Sequence, residues 1–269
     1  MTDFAALRAE WSARVARQGD LAAALSWSAG ECADRWKRGI PLLIEAKPEL
    51  ARPPIEELLG PLVERLAVAG LDEMQALRRF AEAWDAGAVG PGDLFPLAGW
   101  AAPDQDSAAL GARLGVPVHF VALLAHAGLR PPLEAYFAAV RFAPDSVWPS
   151  MACPWCGGPA AYAEIDARGR RSVACHLCGG AWAAAPGCCP FCEHREPGGV
   201  VPVLESLVAD GDFVEACRHC RGYLKGVDRR RRPSAGSALV EDWGSPQLDL
   251  HAAERGYRRA TPTLAHLVR

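Results

Sequence analysis

Hydrophobic residues recur at helical spacing through the first half of the chain. Phe4, Leu7, Trp11 and Val15 follow one another at intervals of three or four residues. Similar stripes occur at Ile55, Leu58, Leu59, Leu62 and Leu66, and again at Met74, Leu77, Ala81 and Trp84. Because a period near 3.6 places such residues on one face of a helix, the stripes predict an all-α bundle of about six to eight helices over residues 1–141.

The tryptophans and the one cysteine of this half are expected to be structural. The tryptophans concerned are Trp11, Trp27, Trp36, Trp84 and Trp100. We expect them in the core or in contacts between helices, with an aromatic ligand cage as the alternative. Cys32 lies within a helical stripe, where a small buried residue is a better interpretation than a nucleophile.

The second half follows a different pattern. Residues 142–150 contain two prolines and no period, which predicts a linker. Beyond it, residues 159–165 and 171–174 alternate around the turn sequence Asp166-Ala-Arg-Gly169, which predicts a β-hairpin. Further short strands are expected at 181–185, 199–205, 212–216 and 223–227.

Composition and charge bound the class of protein. Of 269 residues, 50% are apolar and 23% are charged, as in soluble globular proteins. The formal net charge of -3 provides no general attraction to nucleic acid or to an anionic membrane. We find no export signal and no apolar run of the ~20 residues that a membrane-spanning helix needs. The expectation is a cytoplasmic protein with reduced thiols.

Four Cys-x-x-Cys pairs are the strongest chemical signal. They are Cys153/Cys156, Cys175/Cys178, Cys189/Cys192 and Cys217/Cys220. Four thiolates in a tetrahedron bind structural zinc or a mononuclear iron, so eight predict two metal sites. Grouping the pairs in sequence order closes the shorter loops and is favoured; a cross-braced arrangement of first with third and second with fourth is the alternative. The sequence therefore predicts one small metal-binding module at 151–185 and another at 186–269, the latter with a C-terminal tail helix.

Residues beside the cysteines carry further expectations. Gly157 and Gly179 directly follow two of the pairs, where a positive φ would let backbone N–H groups turn toward the sulfurs. Glu193 and Arg221 occupy the equivalent positions of the other two pairs, which predicts less rubredoxin-like turns there.

Three residues close to the thiols are expected to stay outside the metal sites. His176 and His219 lie between the cysteines of their pairs and are expected to point outward. Cys188 precedes Cys189, and neighbours on an extended chain point to opposite sides, so Cys188 is expected to be a bystander; a substitute ligand or a reactive thiol is the alternative.

These motifs, taken in order, resemble the formate dehydrogenase accessory protein family, FdhE. The resemblance extends from Trp148 to about Pro262. It comprises Cys153-Pro-Trp-Cys-Gly-Gly-Pro159, Cys175-His-Leu-Cys178 with Trp182, Cys189-Pro-Phe-Cys192, Glu215-Ala-Cys-Arg-His-Cys220, Tyr223-Leu-Lys225, Leu248-Asp249-Leu250, Ala253-Glu254-Arg-Gly-Tyr257 and Arg259. The tail motif, which makes no metal site, distinguishes this family from generic zinc ribbons. Pro186 and Arg255 depart from it, standing where the family usually has arginine and glutamate.

The resemblance implies an α+β multidomain protein: a helical domain followed by two rubredoxin-like or zinc-ribbon-like modules. It implies that the eight paired cysteines are metal ligands, with iron favoured and zinc as the alternative. It further implies a cytoplasmic maturation factor, not an enzyme, that binds the catalytic subunit of a formate dehydrogenase. The oligomeric state, monomer or homodimer, stays open.

Two other classes of function compete with this one. A zinc-ribbon protein that binds nucleic acid is the runner-up, because Arg229-Arg230-Arg231-Arg232 could bind phosphates; a solvated loop is the simpler interpretation. An enzyme is disfavoured, since four sulfur ligands fill a tetrahedral ion and we find no nucleophile elbow, phosphate loop or dinucleotide fingerprint.

Overall fold

A computed structural model describes a little over half of the chain. The described residues are 29–42, 74–90, 93, 103–118, 121, 124, 148–176, 178–184, 187–203 and 211–261. Trp11, Trp27 and Trp100 lie outside these ranges, as does most of the region for which the sequence predicts an all-α bundle. The bundle therefore stays a prediction.

Three helices are described in the first half: α1 (Ala29–Lys37), α2 (Met74–Asp85) and α3 (Pro103–Leu114). The predicted stripe from Met74 to Trp84 is confirmed as a helix, with Phe80 and Trp84 buried and their rings stacked 6.0 Å apart. Trp36 on α1 is also buried, as expected. Cys32 lies in α1, but its side chain is outside what the structure describes.

Six strands are described in the second half: β1 (Ala160–Ile165), β2 (Arg171–Cys175), β3 (Ala181–Ala183), β4 (Val200–Pro202), β5 (Asp212–Cys217) and β6 (Tyr223–Asp228). The predicted hairpin is confirmed as the antiparallel pair β1–β2. Its turn is held by the Asp166 carboxylate, which accepts the backbone N–H groups of Arg168 and Arg170, both at 2.8 Å. Gly169 takes the positive φ of 80° that the turn requires.

All six strands belong to one mixed sheet with the order β3-β2-β1-β6-β5-β4. Antiparallel hairpins form each half of the sheet, and the parallel pair β1–β6 joins the halves. At this junction Gly226 is paired with Ala163, and a Cβ on Gly226 would lie only 2.3 Å from the Phe213 ring. The strands of the two expected modules, 151–185 and 186–269, thus share one sheet; the module boundaries themselves stay a prediction.

Two short helices, α4 (Ala238–Trp243) and α5 (Pro246–Glu254), follow the sheet in the region where one tail helix was expected. Helix α4 packs on β1 and β6, and α5 packs on β6. Leu248 and Ala252 of α5 join Val214, Ala216 and Tyr223 in a buried apolar cluster. Within the described ranges, no helix combines the length and the apolar character that a membrane crossing needs.

Candidate metal centres

The structure brings the eight paired cysteines together in two groups of four. We call Cys153, Cys156, Cys175 and Cys178 the first cluster, and Cys189, Cys192, Cys217 and Cys220 the second cluster. Within each group the sulfur atoms lie within 4.8 Å of one another. The grouping is the sequential one, and the cross-braced alternative is not what the structure shows. Each cluster takes one pair from a loop before a hairpin and the other from the end of a strand, β2 or β5.

All four Cys-x-x-Cys turns share the same backbone geometry. The residue after the second cysteine donates its N–H to the carbonyl of the first cysteine, over 2.8 to 3.2 Å. These donors are Gly157, Gly179, Glu193 and Arg221, with φ of 80°, 69°, 58° and 63° respectively. The positive φ predicted for the two glycines is confirmed.

The expectation that Glu193 and Arg221 make the turns of the second cluster less rubredoxin-like is wrong. Both adopt the left-handed conformation despite having a Cβ, which costs about 1–2 kcal/mol per residue. Arg221 is held there by further contacts: its guanidinium lies 4.1 Å from the centre of the Tyr257 ring, and its Nη2 donates to the Arg255 carbonyl at 2.9 Å. All four Cys-x-x-Cys turns thus adopt the same conformation, whether or not glycine follows the second cysteine.

Backbone N–H groups point at the sulfurs in both clusters. In the first cluster, Trp155, Gly158 and Gly180 donate to Cys153, Cys156 and Cys178 over 3.3 to 3.4 Å. In the second, Phe191 and Gly222 donate to Cys189 and Cys220 over 3.4 Å. Such hydrogen bonds stabilise the negative charge of a thiolate, which is the form that binds a metal ion.

The sulfur geometry fits a bound ion. In the first cluster the Sγ atoms of Cys153 and Cys178 are 3.5 Å apart, and those of Cys156 and Cys175 are 3.3 Å apart. The corresponding distances in the second cluster are 3.7 and 3.8 Å. A tetrahedral ion with sulfur ligands at about 2.3 Å has sulfur–sulfur edges of about 3.8 Å, whereas a disulfide measures about 2.05 Å. Both clusters could hold metal ions, zinc or iron.

The pKa values of the thiols show why a cation suits each cluster. Burial raises the pKa of Cys156 and of Cys178 well above the ordinary value. Burial also opposes ionisation of Cys175, but hydrogen bonds from neighbouring thiols outweigh it and hold its pKa well below the ordinary value. In the second cluster burial opposes ionisation of Cys217, but hydrogen bonds from the backbone of Cys220 and His219, and from neighbouring thiols, lower its pKa. Burial raises the pKa of Cys189 and Cys220. Ionising all four sulfurs of a cluster therefore needs a cation to offset their mutual repulsion.

The residues beside the cysteines differ in their exposure to solvent. His219 is exposed, as expected, and its ring stacks on that of His194 with centroids 4.8 Å apart. His176, expected to point outward, is instead 6% exposed; its backbone N–H is tied to the Pro159 carbonyl, which holds it in the packed layer at the end of β2. Cys188 is buried and is not part of the second cluster; its Sγ donates weakly to the carbonyls of Cys189 and Glu193, at 3.9 and 3.8 Å.

A buried ionic network beneath the sheet was missed by the sequence analysis. Lys225 on β6 is fully buried, and its Nζ binds Asp249 Oδ2 at 2.7 Å and Asp242 Oδ1 at 3.1 Å. Arg259 makes two contacts with the Asp242 carboxylate, at 2.7 and 2.6 Å, and one with Asp249 at 2.9 Å. Two cations thus balance two carboxylates, and the Tyr223 hydroxyl donates to Asp249 Oδ1 at 2.7 Å.

This network gives the tail motif a physical role. Burial opposes the charge of Arg259, but Asp242 and Asp249 outweigh it and raise the pKa of the guanidinium. The network ties β6 to α4, to α5 and to the segment after α5, so it positions the tail on the sheet. Lys225, Asp249 and Arg259 belong to the motifs quoted for the resemblance, but Asp242 has no motif around it that could have revealed it.

The arginine run is largely neutralised by carboxylates of the same chain. Arg229 binds Glu164 at 2.7 Å, and Arg230 binds Asp228 at 2.6 Å. Arg232 binds Asp212 at 2.5 Å and Glu241 at 2.6 Å. Arg229 and Arg232 thus tie the end of β6 to β1, β5 and α4. Three of the four arginines have a carboxylate partner, which weakens the case for phosphate binding.

Comparison with curated proteins finds relatives of one kind, although no family model matches the chain. Over 120 residues it is 32% identical to the FdhE homologue of Stutzerimonas stutzeri (strain A1501), a match that covers 42% of this chain and 37% of that protein. Over 135 residues it is 30% identical to the FdhE homologue of Aquifex aeolicus (strain VF5), covering 48% of this chain and 46% of the relative. The chain thus spans less than half the length of these relatives.

A solved structure extends the likeness to nearly the whole chain. The crystal structure of the FdhE protein from Pseudomonas aeruginosa superimposes with a TM-score of 0.56 over 96% of this chain and 95% of that one. Sequence identity in this superposition is 20%, so it establishes a shared fold and no more.

Proposed function

We propose that this chain, whose resemblance to the FdhE family the comparisons confirm, is a metal-binding accessory protein for a formate dehydrogenase. In this role it binds the catalytic subunit of that enzyme in the cytoplasm and is needed for the enzyme to become active. The two sulfur clusters, set on one continuous sheet, are the observation that carries the proposal. The eight cysteines named above are its metal ligands.

The clusters suit a docking platform better than a reaction site. Each provides four sulfur donors, which fill the coordination of a tetrahedral ion and leave no position for a substrate. An ion in either cluster would contribute free energy of folding to the short strands around it, and iron would in addition allow one-electron chemistry. We propose iron as the metal, with zinc as the alternative, and a binding role without catalysis.

The tail supports the same assignment. Its motif residues Lys225, Asp249 and Arg259 build the buried ionic network, which no metal site requires. Arg221 of the last Cys-x-x-Cys turn contacts Tyr257 of the tail, so the tail lies beside the second cluster. The buried ionic network fixes this part of the surface in place. The proposal is therefore that cluster and tail present one rigid surface to the partner.

Nucleic-acid binding has less support. Its one local feature is the arginine run, and Arg229, Arg230 and Arg232 already bind carboxylates of the chain. A phosphate would have to displace these partners, so we expect any binding to be weak and steeply dependent on salt.

An affinity capture tests the proposal. The tagged full-length chain is expressed in a host that makes a formate dehydrogenase, and the enriched proteins are quantified by mass spectrometry. The catalytic subunit of that enzyme is expected to be enriched, and Cys153→Ala and Cys217→Ala should each abolish the enrichment.

Cys188→Ala is the matched control, because Cys188 is buried next to Cys189 but stands outside the cluster. This variant should keep both ions and the partner. Failure of the intact chain to enrich the catalytic subunit from such a host would contradict the proposal.

A further inference from the structure

The two clusters differ sharply in access to solvent. All four cysteines of the first cluster have 0% of their surface exposed. In the second cluster Cys189 and Cys217 are buried, but Cys192 and Cys220 are partly exposed. Each Cys-x-x-Cys pair of the second cluster therefore presents one sulfur-bearing residue toward solvent.

Aromatic side chains from both halves of the protein cover the first cluster. The Trp155 indole lies so close to Gly180 that a Cβ there would be 1.9 Å from its ring. Trp36 of α1 packs on Trp155 and Trp148, with ring centroids 6.0 and 5.0 Å apart. The backbone N–H of Leu42 also donates to the Pro154 carbonyl at 2.9 Å. The four sulfurs are fully buried, and Trp36 packs on the Trp155 side of the cluster.

The second cluster also has an aromatic neighbour, Phe191 beside Gly222, but its surroundings are more exposed. His219, between its two ligand cysteines, is exposed and stacks on His194. Glu193, which follows Cys192, is exposed as well. Replacement of a ligand at a tetrathiolate ion needs access to one sulfur and room for its side chain to turn. Cys192 and Cys220, the partly exposed ligands, are the residues at which such access would begin.

We propose that the second cluster exchanges its ion with thiol-bearing molecules in solution, whereas the first cluster is closed and retains its ion. Exchange would begin at Cys192 or Cys220: each bond from a cysteine to the ion would break as a bond from an incoming thiolate forms, until all four are replaced and the ion leaves. Each released cysteine would take up the proton that an incoming thiol loses, and no oxidation state would change. The inference rests on the proposed metal binding and assigns a transfer role to one of its two sites.

Competition with a chelator tests this inference on the full-length chain loaded with Zn²⁺. The ion content is first measured, with two ions per chain expected. Excess 4-(2-pyridylazo)resorcinol is then added, and its zinc complex is followed by absorbance. We expect two phases of one ion each, with the fast phase at least tenfold faster than the slow one.

Alkylation assigns the phases without any substitution. N-ethylmaleimide added after the fast phase should modify cysteines of the second cluster and spare those of the first. Release of both ions in one phase, or modification of Cys153 or Cys178 in the fast phase, would overturn the inference. Fewer than two ions at the start would instead refute the metal binding on which it rests, so the two failures are distinguishable.

Trp36→Ala tests whether the aromatic cover is responsible for the difference. It should accelerate the slow phase severalfold and leave the fast phase unchanged. Trp84→Ala, which removes another buried tryptophan of the helical region, is the control and should leave both phases as they are. An unchanged slow phase in the Trp36 variant would refute a cover-based origin of the asymmetry.

Discussion

Removal of one carboxylate from the buried ionic network should destabilise the protein strongly. Asp249 is 2% exposed and accepts contacts from Lys225, Arg259 and Tyr223. Asp249→Asn keeps the size of the side chain but removes its charge, which leaves two buried cations facing the single carboxylate of Asp242. Breaking a buried ion pair in this way costs about 3–5 kcal/mol.

The same structure predicts that a second substitution restores stability. Lys225→Met added to Asp249→Asn removes one charge of each sign, keeps an amide oxygen near Tyr223, and leaves the two contacts between Arg259 and Asp242 in place as a neutral pair. Replacing the members of a buried ion pair by uncharged residues of similar volume is often neutral. The double variant should therefore be more stable than Asp249→Asn by about 2 kcal/mol or more.

Urea unfolding followed by far-ultraviolet circular dichroism, at fixed metal concentration, measures these differences. Glu254→Gln on the same helix is the control, because its side chain is 69% exposed and its ion-pair partner is His251. It should change the free energy of unfolding by less than about 0.5 kcal/mol. A loss below about 1 kcal/mol for Asp249→Asn, or a double variant less stable than the single one, would refute this reasoning.

Three smaller predictions concern the clusters. Glu193→Gly should stabilise the second cluster by up to about 1 kcal/mol, measured by urea unfolding, because glycine adopts φ of 58° without strain; a loss of stability would contradict this. Gly180→Ala should destabilise the first cluster by about 1–3 kcal/mol in the same assay, because its Cβ would collide with Trp155; a neutral result would be inconsistent with that contact. Since burial raises the pKa of Cys156 and Cys178, which must lose protons to bind a metal, zinc affinity in competition titrations should rise from pH 6 to pH 8; affinity independent of pH would count against four-thiolate binding.

Local patterns predicted the elements around the clusters well. The hairpin about Asp166 and Gly169 is confirmed, and the strands expected at 212–216 and 223–227 are β5 and β6. Alternation and turn residues are properties of a few neighbouring residues, so they can be seen in the sequence. The expectation for Glu193 and Arg221 failed for the opposite reason: their φ is decided by hydrogen bonds of the turn as a whole and not by residue preference alone.

At the candidate sites, too, local features could be predicted from the sequence and distant contacts could not. The spacing of eight cysteines was sufficient to indicate two groups of four, since a Cys-x-x-Cys turn brings its own two sulfurs together. His176 was misjudged because its burial depends on packing at the end of β2. Asp242 was missed because a lone acidic residue in the sequence carries no sign of the buried lysine and arginine that it meets.

The amino-acid sequence by itself determined the ligand set, the turns that present it and the short strands between them, because each depends on contacts within a few residues. Only the tertiary structure decided that β1 and β6 pair in parallel, that Trp36 packs on Trp155 and that Lys225, Asp242, Asp249 and Arg259 meet in one buried network. These contacts join residues far apart in the chain, and their free energy depends on burial and distance, which no local pattern encodes.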